Sequence, residues 1–257
     1  MKTCYFLLLA LIIVSCTDSK PETNILPEDI EKPKRMMNES EVKRHIESQL
    51  KILGTEKYNY TVYKEHLDAD DSVDQIITVN LLDRALNEAI GTKQVAKRAE
   101  FGYMGNFNYI FYVDGKTKSI TSPIVVPSSA QAELKVSFEN ITTEAYKDFM
   151  IDLKIQNSCF RRFYTVWNQV PFQTSETELY TDLGMGTEKI YAVSFEPSLE
   201  TLAKNIVITV GKTRAVKFTH PDEVYSYEPK IESTGEFVRR WYFSSKHMKY
   251  YLKNDEI

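Results

Sequence analysis

From Ala132 onward apolar residues recur at every second position, and that period is the strongest constraint on how the chain can fold. Leu134, Val136 and Phe138 alternate with Lys135, Ser137 and Glu139. Ile151, Leu153 and Ile155 alternate with Asp152, Lys154 and Gln156, and Ile206, Ile208 and Val210 repeat the pattern. Successive strand side chains point to opposite faces, so such runs put one face in a core and the other in water, as antiparallel sheets do. Further strands are predicted over 159–167, 189–195, 215–218, 224–227 and 237–243, with one helical turn near 198–204. An aromatic content of 12 %, rich in tyrosine (16 Tyr, 13 Phe, 2 Trp), suits pleated surfaces. Short strands separated by turn signals read as a β-sandwich, with a barrel as the alternative. No period of 20–50 residues recurs, which excludes solenoids and propellers.

Residues 38–130 have a different texture. Asn38-Glu39-Ser40-Glu41 offers an N-cap side chain with Glu three residues on, and Val42, Ile46, Leu50 and Leu53 follow as one helical stripe that Gly54 ends. Strands are predicted over 58–63 and 74–80, a helix from Asp83 to Ile90 and a helical turn over 94–101. A hairpin is expected from Phe107–Val113 and Lys116–Ile120, joined by Asp114-Gly115, because Asp-Gly supplies the positive φ of tight turns. The fold class is therefore α+β and then mostly β: a small N-terminal α+β unit followed by an antiparallel β-sandwich-like domain over 131–257.

Composition removes several classes. Hydrophobic residues are 42 % and charged residues 26 % of 257, ordinary for a folded chain. The balance of 32 Lys plus Arg against 36 Asp plus Glu gives a net charge of −4, which is no footprint for nucleic acid. The first residues point to an address. Lys2 precedes a continuous apolar run from Phe6 to Val14, about half the length that spans a bilayer, so it reads as a secretory signal over 1–15. Residues 16–37, with Pro21, Pro27 and Pro33 among charged residues, read as a tether.

The run ends Ile13-Val14-Ser15-Cys16 and resembles the bacterial lipobox. The resemblance implies that Cys16 is acylated and becomes the new N-terminus, and several acyl chains together anchor stably. Thr17, where the enteric sorting rule would read Asp as an inner-membrane signal, implies the outer membrane. Of three cysteines, Cys4 leaves with the signal and Cys16 is consumed, so Cys159 stands alone and no intrachain disulfide is expected.

The chain carries no Walker loop, no Gly-x-Ser-x-Gly elbow and no His-Glu-x-x-His; Gly184-Met185-Gly186 reads as a turn. His45, His66, His220 and His247 are scattered, and Cys159 opens an aromatic strand as an inert core thiol. Two segments hold candidate sites. Arg161 and Trp167 lie in one mixed cationic and aromatic stretch, and Arg240 and Trp241 in another; on one face of a sheet they would form a patch for an anionic glycan. The run from His66 to Ile77 resembles the acidic loop and strand of FG-GAP calcium-binding repeats. That resemblance implies ligands from Asp68, Asp70 and Asp74 and from the Ser72 carbonyl. His66 replaces its first Asp and Asp71 its turn glycine, so calcium binding would be weak; no other cofactor is expected.

Taken whole, the chain resembles the envelope lipoproteins of Bacteroidetes-type bacteria in its lipobox, its Pro-containing tether and its Tyr-rich β domain. That class is defined by address, not by reaction. The expectation is a membrane-anchored, non-enzymatic binding or scaffold protein for envelope glycan or protein partners. A polysaccharide hydrolase with paired carboxylates is the alternative. Cys16→Ser should abolish fatty-acid labelling of the expressed protein and leave it unprocessed or soluble; labelling that persists in Cys16→Ser contradicts the anchor.

Overall fold

The chain is described by a computed structural model covering residues 38–91, 105–220 and 222–252. The signal segment, Cys16, the tether and the helical turn expected over 94–101 lie outside the described residues.

The first helix, α1 (Glu39–Gln49), starts where the sequence predicts. The Asn38 side chain accepts from the Glu41 amide at 3.0 Å, and the Glu41 carboxylate accepts from the Asn38 amide at 2.9 Å, a reciprocal capping box. Strands β1 (Asn59–Glu65), β2 (Asp74–Asn80), β3 (Asn108–Val113) and β4 (Ile124–Val125) form an antiparallel sheet in that order. Helix α2 (Leu82–Gly91) joins β2 to the residues before β3. Arg84 of α2 donates to the carbonyls of Leu50 and Lys51 at 3.1 and 3.2 Å and pairs with Glu56, tying α2 to the end of α1.

The second sheet has eight strands in consecutive order: β5 (Lys135–Glu139), β6 (Asp148–Ile155), β7 (Ser158–Trp167), β8 (Val170–Thr181), β9 (Lys189–Glu196), β10 (Asn205–Lys212), β11 (Glu232–Ser244) and β12 (Lys249–Leu252). Ladder pairing between β8 and β9 is confined to Tyr180–Ile190 and Thr181–Lys189. The meander folds over at that joint. Met150 and Phe163 from its first half pack with Ile206, Ile208 and Tyr250 from its second, and β12 touches β8. The result is sandwich-like.

Both faces of the small sheet are covered. Val42, Ile46 and Leu50 of α1 pack on Ile77, Val79, Phe111 and Val113. The opposite face, with Ile76, Ile110 and Tyr112, packs on Phe149, Ile151, Leu153, Tyr164 and Val166 of β6 and β7. The division near residue 130 falls between the sheets, yet the sheets share this core, and the described residues form one compact unit. A buried polar network closes the junction. Asn80 donates to Asn108 at 2.8 Å and to the Ala130 carbonyl at 2.9 Å; Asn108 donates to Ser128 and to the Ser129 carbonyl; the Ser129 amide donates to the Lys154 carbonyl of β6.

Several expectations are corrected. Lys116–Ile120 forms no strand: the segment turns back to a single bridge, Val113–Ile120, and β4 takes the ladder position beside β3. Gly115 does not have a positive φ. It is required because a Cβ there would overlap the Val73 carbonyl oxygen and the Ser72 side chain, where the β1–β2 loop presses on the turn after β3. Residues 215–218 are irregular, 224–227 lie largely in a short helix, α3 (Glu223–Ser226), and 198–204 holds bends, not a helical turn. Strands β8 and β12 are additions.

Gly115→Ala should lower the unfolding free energy by about 1–3 kcal/mol through overpacking. Gly54→Ala, where an added Cβ meets nothing within 4 Å and φ is ordinary, should be neutral or stabilising by up to about 1 kcal/mol. Urea denaturation of the two variants beside the unaltered chain checks the contrast in sign.

Candidate functional site

A cavity of about 710 Å³ lies against β5 to β9, on the face of β6 and β7 opposite the shared core. The period-two pairing builds its floor: Asp152 opposite Arg161 and Lys154 opposite Cys159 across β6 and β7, with Tyr180 of β8 opposite Cys159. Tyr191 of β9, Gln131 and Glu133 before β5, Tyr63 of β1, and Tyr225 and Glu228 from the 225–231 segment complete the walls.

Each charged group of this cavity has a partner. Arg161 grips Asp152 with two nitrogens at 2.6 and 2.7 Å, the bidentate geometry of a strong pair. Glu228 pairs with Lys135 at the rim, and Glu133 accepts from Asn59 at 2.7 Å. Lys154 is buried and forms no ion pair among the described residues, and burial lowers its pKa. Its ammonium instead donates to the carbonyls of Val224, Tyr225 and Tyr227 at 3.4, 2.9 and 2.7 Å. Those three bonds use every N–H of an ammonium and clamp α3 and the following segment over the sheet. The lysine is a structural clamp, occupied on all sides, and not a free amine nucleophile.

Cys159 is buried, and burial, with the Asp152 charge, pushes its thiol up to about 12. Its burial is what the sequence predicts. Two oxygens remain unmatched. The Tyr180 hydroxyl lies against that thiol, a weak hydrogen-bonding group, and no oxygen or nitrogen of the described residues pairs with it. Gln131 Oε1 is likewise buried without a partner among the described residues.

The cationic and aromatic residues read from sequence have separate partners. Arg161 points into the cavity with Asp152, whereas three strands separate β7 from β11 in the sheet. Arg240 pairs with Glu196 at 2.7 Å. The cation over Trp241 is Arg239, 5.6 Å from that ring and from the Tyr191 ring, and Arg239 donates to Thr177 of β8 at 2.9 Å. Trp167 ends β7 and is 54 % exposed.

The acidic loop is rearranged relative to its expected ligand set. One carboxylate oxygen from each of Asp68, Asp70 and Asp114 lies within 4.8 Å of the others. Asp74 is not one of the three, although it lies close enough to feel the Asp68 charge: it is fully buried, and its oxygens accept from the amides of Leu67 at 3.0 Å and Gly115 at 2.7 Å. The Ser72 carbonyl contacts the His66 ring nitrogen Nδ1 at 3.0 Å. Asp114 is the residue that sequence reasoning missed, because it lies forty residues downstream and was read only as half of an Asp-Gly turn.

Among the described residues no helix is long and apolar enough to cross a membrane. No family model matches the chain, and no curated protein or solved structure matches it either.

With its thiol at about 12, Cys159 should react with iodoacetamide at pH 8 roughly 10³-fold more slowly in the folded chain than in urea. Comparable rates in the two states contradict the buried, protonated thiol.

Proposed function

We propose that this chain is a lipid-anchored envelope lipoprotein, carried on Cys16 and facing the outer-membrane environment, that acts by binding rather than by catalysis. The cavity beside β5–β9 takes a segment of an envelope glycan. The observation that carries this reading is the pair of unmatched oxygens, Tyr180 Oη and Gln131 Oε1, in a cavity whose charged groups are otherwise satisfied. Unpartnered buried polar groups are uncommon in folded chains and call for a partner. A sugar hydroxyl both donates and accepts, so it can serve a phenol and an amide oxygen together. The rings of Tyr63, Tyr191 and Tyr225 offer apolar surface for sugar faces, and about 710 Å³ falls within the usual range of ligand sites.

The hydrolase alternative has less support. It needs one free carboxylate and one poised acid, whereas Asp152, Glu133 and Glu228 each engage a partner.

Binding of the full chain, in detergent micelles, to fractionated envelope glycans tests the proposal. Tyr180→Phe removes one hydrogen bond to ligand, worth about 1 kcal/mol, and should weaken binding about fivefold. Its melting temperature should hold or rise, because the hydroxyl it deletes has no strong partner among the described residues. Gln131→Ala should likewise weaken binding. Glycan binding unchanged in both variants, or release of new reducing ends from the glycan, overturns the reading.

A further inference from the structure

We infer that Asp68, Asp70 and Asp114 form a calcium site that fastens the β1–β2 loop to the turn after β3. This is independent of the glycan cavity, which is built from other residues. The three carboxylates converge, one oxygen from each within 4.8 Å of the others. Two of them are held in place by their own loop: Asp68 accepts from the Asp70 amide at 2.9 Å, and Asp70 accepts from the Ser72 amide at 2.6 Å. These turn bonds orient the carboxylates but do not themselves indicate a ligand.

The indication comes from Asp114. It is fully buried, and its Oδ1 accepts from the Lys116 and Thr117 amides and the Thr117 hydroxyl, at 3.0, 2.5 and 2.9 Å. Its Oδ2 is buried as well and has no hydrogen-bond partner among the described residues. A buried carboxylate oxygen left bare beside two further carboxylates is costly in a medium of low dielectric. No Lys or Arg of the described residues forms an ion pair with any of the three. A divalent cation supplies both a partner for Oδ2 and positive charge for the cluster.

The donor set selects the ion. Three carboxylate oxygens, with no sulfur and no imidazole among the described residues of the group, favour a hard cation. Calcium bonds of about 2.3–2.6 Å let opposite ligands stand nearly 5 Å apart, and calcium accepts irregular geometry. Magnesium requires shorter bonds and a near-ideal octahedron. Tyr112, whose hydroxyl lies 3.3 Å from Asp68, completes the polar surroundings. Three protein ligands place the affinity at the weak, extracellular end of the calcium range, about 10⁻⁴–10⁻³ M.

The test is a thermal melt of the full chain in EDTA and in 10 mM calcium, with equilibrium dialysis to count the ions bound. Calcium at about ten times a Kd of 10⁻³ M should raise the Tm by about 3–6 °C. Asp70→Asn and Asp114→Asn should lose that rise, and Asp71→Asn, an exposed neighbour outside the cluster, should keep it. Dialysis should find one ion per unaltered chain, a readout that stands even if Asp114→Asn fails to fold. No rise and no bound ion at 10 mM overturns the site. So does a rise that Asp70→Asn leaves intact.

Discussion

The contact between the inner face of the small sheet and one face of β6 and β7 is the constraint on which the remainder depends. Ile76, Ile110 and Tyr112 meet Phe149, Ile151 and Tyr164 there, each almost wholly buried, and the Phe149 and Tyr164 rings stack with centroids 4.9 Å apart. Burying side chains of this size contributes about 1.5–3 kcal/mol apiece. A four-stranded sheet covered only by α1 would leave this apolar face wet, so neither sheet is complete without the other. The consequence for function is positional. With one face of β6–β7 committed to the core, the opposite face carries Asp152, Lys154, Cys159 and Arg161 into the cavity.

The same junction sorts polar groups into two kinds. Asn80, Asn108 and Asp148 are buried and saturated: Asp148 alone accepts from Ile141 N, Thr142 N and the Thr142 hydroxyl. Burial raises the pKa of Asp148, and these hydrogen bonds pull it back. Such groups specify which loops meet, because a mispaired alternative would strand them. Tyr180 Oη, Gln131 Oε1 and Asp114 Oδ2 are the contrast, buried beside the cavity or the acidic cluster without a match among the described residues. Lys154 shows why burial by itself is a poor guide, since a buried lysine in a cavity suggests chemistry until its three carbonyl partners are seen.

Much of the architecture was legible along the chain. The capping box of α1, β2 over 74–80 and the alternating strands β5, β6 and β10 follow from local spacing, because period and capping are properties of neighbouring residues. Strand β8 was not legible. Its interior positions include Thr174 and Thr177, so it shows no apolar alternation, and the turn before it uses Asn168 and Gln169 at positive φ where Asn-Gly is the usual signal. The 224–227 segment was misread for the opposite reason. Its β-branched and aromatic residues favour strand, but capture of the backbone carbonyls by Lys154, seventy residues away, sets it as a helical turn.

By itself the sequence determined the class of the fold, the buried thiol of Cys159 and a crowded acidic loop, since each is written in residues close together. Only the tertiary structure decided which aspartates converge. Asp74 has its oxygens occupied by the amides of Leu67 and Gly115, while Asp114 arrives beside Asp68 and Asp70 because β2 and β3 pair and the side-chain-free Gly115 lets the two loops touch. It likewise decided that Arg161 faces Asp152 in a cavity and that Arg240 pairs with Glu196. Spacing predicts which face of a strand a side chain occupies, but long-range pairing and the fold of the sheet upon itself decide what that face meets.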